Sequence, residues 1–99
     1  METIILNNTV VYLKYVRYQN HQIGVWAYNN DTVFSKLTAY FPNNELHSDE
    51  VAIKDWDEYE GLYLQLLQQE VCHFAEKRYC VGVGRYVHVV RLTGKYLKL

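Results

Sequence analysis

The chain has 99 residues, 49% of them apolar and 21% charged, with a net charge of -1. That is one domain, residues 1–99, with enough apolar content for a core without metals or disulfides. One proline and five glycines argue against a linker or a disordered tail, and no run reaches the roughly 18 to 20 apolar residues of a membrane span. The N-terminus lacks the basic and then apolar pattern of a signal peptide, so the expectation is a soluble cytoplasmic protein.

Strand patterns fill the first forty residues. Residues 3–6 are a short apolar run, and Asn7-Asn8 is turn-like. Over 9–18 the side chains alternate, with Val11, Leu13 and Tyr15 on one face and Val10, Tyr12, Lys14, Val16 and Tyr18 on the other. A period of two means a strand, and apolar groups on both faces predict a central or covered one. The polar run Gln19-Asn20-His21-Gln22 ends it. A second run covers 23–28, with Gly24 marking a bulge or a close backbone approach. Asn29-Asn30-Asp31 is a turn, because Asn and Asp tolerate left-handed geometry. A third strand is predicted over 32–41, followed by the break Phe41-Pro42-Asn43-Asn44 and a polar loop to Ser48.

Val51, Ala52 and Ile53 read as one more short strand. The period then changes: Tyr59, Leu62, Tyr63, Leu66 and Leu67 recur at helical spacing over about 57–70. Asp55, with Glu58 three residues on, supplies a helix-start signal that Gly61 weakens. Two closing strands follow over 78–83 and 86–92, around Gly82-Val83-Gly84. The fold class is α+β: an antiparallel meander sheet of five to six strands with one principal helix, whose Leu62, Leu66 and Leu67 cover a face containing Val11 and Leu13.

Charge is distributed unevenly. Seven of the eleven carboxylates lie between Glu45 and Glu60, while only cations follow Glu76: Lys77, Arg78, Arg85, Arg91, Lys95 and Lys98. A block of one sign makes a local field, and such fields select partners. Asp49, Glu50, Asp55, Asp57, Glu58 and Glu60, with Trp56 among them, are therefore the candidate partner-binding residues. Trp is a frequent interface anchor. The alternative site is a nucleic-acid surface built from Arg85, Arg91, Lys95 and Lys98 with some of the ten tyrosines.

Catalytic and metal readings find less support. Cys72, His73, Cys80 and His88 lack the close pairing of structural zinc sites, so no metal or other cofactor is expected. Neighbouring carboxylates on a helix point in different directions, which does not favour paired acid–base chemistry. Cys72 and His73 would point to opposite faces of a strand. Gly82-Val83-Gly84 lies between two strands rather than before a helix, as a hairpin turn does and a phosphate cradle does not.

The segment VAIKDWDEYEGL, residues 51–62, and the end with Val81-Gly82-Val83-Gly84 and Val89-Val90-Arg91-Leu92-Thr93 resemble a small uncharacterised family of Firmicutes phages, plasmids and integrated elements. Matching residues in the first segment are Ile53, Lys54, Asp55, Trp56, Glu58, Glu60 and Gly61; Asp57 and Tyr59 depart from the pattern. The family offers no catalytic residues to carry over. It implies an accessory protein of a mobile element in a bacterial cytoplasm, a setting in which small proteins inhibit host defence. The reading is thus a non-enzymatic binding protein. It would act on a host protein such as Cas9, as an anti-CRISPR protein does, with acids and rings occupying a basic nucleic-acid channel. A nucleic-acid-binding accessory protein is the runner-up. A structural or homo-oligomeric phage component joined through a sheet edge is the third reading.

Overall fold

The computed structural model describes residues 3–19, 21–41, 46–75 and 77–94. Asn20, residues 42–45 of the expected break, Glu76, Lys95 and Lys98 lie outside the described residues. The α+β class holds, but the strands form two antiparallel sheets of four rather than one sheet of five or six. The first contains β1 (Thr3–Leu6), β2 (Thr9–Arg17), β3 (Ile23–Asn29) and β4 (Thr32–Lys36) in the order β1-β2-β3-β4. The second contains β5 (Thr38–Ala39), β6 (Glu50–Asp55), β7 (Lys77–Gly82) and β8 (Arg85–Arg91) in the order β5-β6-β8-β7.

The extra sheet arises where the expected strand over 32–41 divides at Leu37. The Leu37 N–H donates to the Val25 carbonyl of β3 at 2.9 Å, while the Leu37 carbonyl accepts from the Lys54 N–H of β6 at 3.0 Å. One residue thus pairs with both sheets. The Val25 N–H, left over at this crossing, donates to the Thr38 hydroxyl at 3.2 Å. A register shift between Ala27 and Tyr28 precedes the crossing, and such irregularities bend a strand and increase its twist. The period of two continues through the bend, so the sequence pattern does not reveal it.

The two sheets share one core. Ile4, Leu6, Val11, Leu13, Val25 and Ala27 come from the first; Val51, Ile53 and Val90 come from the second; Leu37 lies at the joint. β6 is buried on both faces, because Ala52 turns the other way into a second cluster with Val87 and Val89. β2 is central, as expected, but its Val10, Tyr12 and Lys14 face is exposed rather than covered.

The helix is shorter than its periodicity predicts. A 3-10 turn spans Asp57–Tyr59, and α1 spans only Leu62–Gln68. Between them Glu60 is extended and Gly61 takes a left-handed φ of 82°, so one continuous helix is impossible. Asp55 is therefore the end of β6 and not a helix cap. Leu62 and Leu66 are fully buried in the core with Val11 and Leu13, whereas Leu67 is only half-buried. Tyr59 provides the remaining buried anchor of this segment.

Gln65 of α1 ties down the first edge strand. Its Oε1 accepts from the Ile5 N–H at 2.9 Å and its Nε2 donates to the Ile5 carbonyl at 2.8 Å. A side-chain amide here takes the place of a neighbouring strand and covers an otherwise open edge. Among the described residues no helix is long and apolar enough to cross a membrane. Leu66→Ala should destabilise the protein by about 2 to 5 kcal/mol, the usual range for a buried leucine truncation. Urea denaturation measures this, and a midpoint equal to the parent's would show that α1 does not plug the core.

Candidate functional site

The β6–β8 ladder folds the acidic and basic parts of the sequence onto each other. Glu50 lies opposite Arg91, and Asp55 lies opposite Tyr86, next to Arg85. The charge separation along the chain is therefore not a charge separation in space.

Beyond β6 the chain forms an acidic and aromatic corner. Trp56 is half-buried and packs against both hydrophobic clusters. Its ring meets Tyr59 edge-on at 5.7 Å, and the Tyr59 hydroxyl shares a 2.6 Å hydrogen bond with Ser35. Asp57 takes a left-handed φ of 47° to start the 3-10 turn. Asp57, Glu58 and Glu60 are exposed, while Tyr59 between them points inward. Two cations lean on the rings: Lys54 Nζ lies 5.0 Å from the Tyr59 centroid and 5.9 Å from Trp56, and the Arg85 guanidinium lies 5.7 Å from Trp56. Each such contact is worth about 0.5 to 1 kcal/mol at an exposed site. The corner is thus a mixed-charge surface with three exposed carboxylates at its tip.

Asp49 and Glu50 do not belong to it. They stand at the other end of β6, about 17 Å away for a six-residue strand. Glu50 is 4% exposed, and its Oε1 accepts from the His47 N–H at 2.9 Å. Its own N–H donates to the His47 carbonyl at 3.0 Å. It closes its own loop, which corrects its assignment to a partner-binding surface. Asp49 is half-buried, and its carbonyl accepts from the Leu92 N–H. The basic alternative divides in the same way: Arg85 belongs to the Trp56 corner, and Arg91 lines a cleft with Asp49, Glu50 and Lys77.

Asp55 has an unexpected partner. Its Oδ2 lies 2.7 Å from His88 Nε2, and the imidazole stacks on Tyr63 of α1 at 4.6 Å between centroids. The Tyr63 hydroxyl accepts from the Ala75 N–H at 2.8 Å. Because Ile53 is directly opposite His88, Asp55 reaches it diagonally across the ladder. Spacing along the sequence holds no sign of this contact, because it follows from the strand register.

The cysteines differ in environment. Cys72 is buried and pairs with Leu92 through an isolated β-bridge, and burial pushes its thiol up to about 11. Cys80 is exposed on the outer strand β7. Among the described residues no three His, Cys, Asp or Glu side chains gather as a metal site. No family model, curated protein or solved structure matches the chain.

Two outcomes check this geometry. Asp55→Ala should cost about 1 to 3 kcal/mol, the range for removing one partner of a partly buried charge-assisted hydrogen bond. Urea denaturation at neutral pH measures it, and unchanged stability would mean that water replaces the bond without loss. A raised pKa keeps the Cys72 thiol protonated at neutral pH, so an aromatic disulfide reagent should modify Cys80 quickly and Cys72 only after unfolding. Equal rates for both thiols in the native protein would contradict the burial.

Proposed function

We propose that the protein acts by binding, and that Asp57, Glu58 and Glu60 around the Trp56 ring are its contact surface for a basic protein partner. One observation carries this reading: the three exposed carboxylates stand on a turn anchored from within by the buried Tyr59 and by Trp56 packed against the core. A preorganised acidic tip loses little conformational entropy on binding. It offers Lys and Arg side chains the acceptor groups that phosphates would otherwise supply. The resemblance of residues 51–62 to a mobile-element family supports a partner in host defence. A nuclease with a basic nucleic-acid channel, such as Cas9, is the class of target that fits. The protein would then be an anti-CRISPR-like inhibitor that competes with nucleic acid.

Kinetic binding to guide-loaded Cas9, measured at several salt concentrations, tests the reading. The parent should bind and suppress DNA cleavage. The triple variant Asp57→Asn, Glu58→Gln, Glu60→Gln should fold normally, since exposed charges usually change stability by under about 0.5 kcal/mol each. It should associate more slowly and with a flatter salt dependence. No binding by the parent would remove this target, and parent-like kinetics of the triple variant would reduce the corner to a solvated turn.

A further inference from the structure

The first sheet has an outward face that the acidic corner does not use. The ladder registers place Tyr12 opposite Tyr28, and Trp26 between Lys14 and Lys36. These residues alternate with the buried Val11, Leu13, Val25 and Ala27, so they all point away from the core. The result is two parallel rows: the Tyr12 and Tyr28 rings, continued by Val33 on β4, and the Lys14, Trp26 and Lys36 side chains across β2, β3 and β4. The rows are two residues apart along a strand, about 6.6 Å.

The side chains are held in place. Lys14 Nζ sits 4.3 Å above the Tyr28 ring and Lys36 Nζ sits 4.9 Å from the Trp26 ring. Gly24 continues the same face, and a Cβ there would come within 2.6 Å of the Tyr18 hydroxyl. The missing side chain is the space that Tyr18 occupies. From that position the Tyr18 oxygen accepts from Trp26 Nε1 at 3.1 Å, and its ring meets Tyr40 edge-on at 5.0 Å. Tyr12 and Tyr40 are 44% and 48% exposed.

Two shallow clefts flank the Trp26 row. Tyr18, Tyr40 and Lys36 line one together with Thr38, Ala39 and Lys54, the last of which also leans on the Tyr59 ring and so borders the acidic corner; no carboxylate is among them. Tyr12, Tyr28 and Lys14 line the other, which Asn30 and Asp31 close at the β3–β4 turn. Among the described residues, Asp31 is the one acid lining either cleft.

We propose that this face binds single-stranded nucleic acid, independently of the acidic corner. The exposed Tyr12 and Tyr40 rings offer apolar surfaces to unpaired bases, and the ammonium groups over Tyr28 and Trp26 offer positive charge to the linking phosphates. Each feature alone is common, since exposed tyrosines cover sheets and lysines lie over rings. Their alternation in registered rows, with a nearly acid-free border, is what matches a polyanion carrying stackable groups. A duplex is a poor occupant because its bases already stack on each other. This face is also distinct from the basic C-terminal third, because Arg85 and Arg91 belong to the second sheet.

Fluorescence anisotropy of a labelled oligo-dT with the purified protein alone tests this, with no need for any protein partner. Binding at low salt should exceed that of a duplex of the same length. Its logarithmic salt slope should be about -1.4 to -2.1 for two or three lysine–phosphate contacts. Lys14→Gln with Lys36→Gln should flatten that slope by about 1.4. Tyr12→Ala should weaken binding about 5- to 150-fold while Tyr12→Phe restores it, as loss of one stacked base requires. These sites are exposed, and melting curves establish that each variant is folded. Absence of binding at low salt overturns the proposal. So does equal affinity for duplex, or binding that survives the Tyr12 and lysine changes but is lost with Arg85→Gln and Arg91→Gln. If the face instead serves a protein partner or a second copy of the chain, the oligonucleotide stays unbound and the proposal falls.

Discussion

The structure depends on the backbone of Leu37. Its N–H is committed to β3 and its carbonyl to β6, so this one residue hydrogen-bonds to both sheets with both polar groups satisfied, beside the Val25–Thr38 bond that also crosses the joint. Its side chain is fully buried at the same point, which places apolar packing and backbone pairing in one position. A strand that stayed in the first sheet would leave β6 without its partner β5 and open the core along that side. Without the crossing, the inward faces of the two sheets would have no common interior to fill, and α1 would have nothing to plug.

Both surfaces follow from this joint. β6 leaves it with Lys54 and Asp55 and runs directly into Trp56 and the 3-10 turn, so the acidic tip is positioned by the second sheet. The bend in the other direction leaves the outer face of the first sheet bare, since β2 and β3 have core on one side only. A single sheet of six strands under one helix would also have a bare face, but the acids would then sit at the start of a long helix. In the two-sheet arrangement they sit on a short turn whose direction is set by Gly61 and whose grip comes from Tyr59.

Much of this is legible in the sequence. Alternation locates β2, apolar runs locate β1, β3 and β8, and Gly82-Val83-Gly84 marks the hairpin between β7 and β8; at Gly24, where a bulge or close backbone approach is expected, the space is taken by the Tyr18 side chain. A helix exists where Leu62 and Leu66 recur, but apolar spacing cannot detect that Gly61 breaks the turn before it. The division at Leu37 is invisible because a strand that changes sheets keeps its period of two. The charge pattern misleads for a related reason. Carboxylates adjacent in sequence look like one field, yet antiparallel pairing sets Arg91 opposite Glu50 and brings Arg85 to Trp56. The His88–Asp55 contact and the lysine–ring rows are likewise products of register, which depends on tertiary structure and not on local composition.

Amide hydrogen exchange under native conditions tests the central claim most directly. If Leu37 joins the sheets, its N–H and that of Lys54 should exchange only through global unfolding, at the same free energy as the core amides of Val11 and Val90, which pair within their own sheets. Exchange of the Leu37 and Lys54 amides at a markedly lower free energy, with the core amides still protected, would mean that the sheets open independently and that Leu37 does not hold them together.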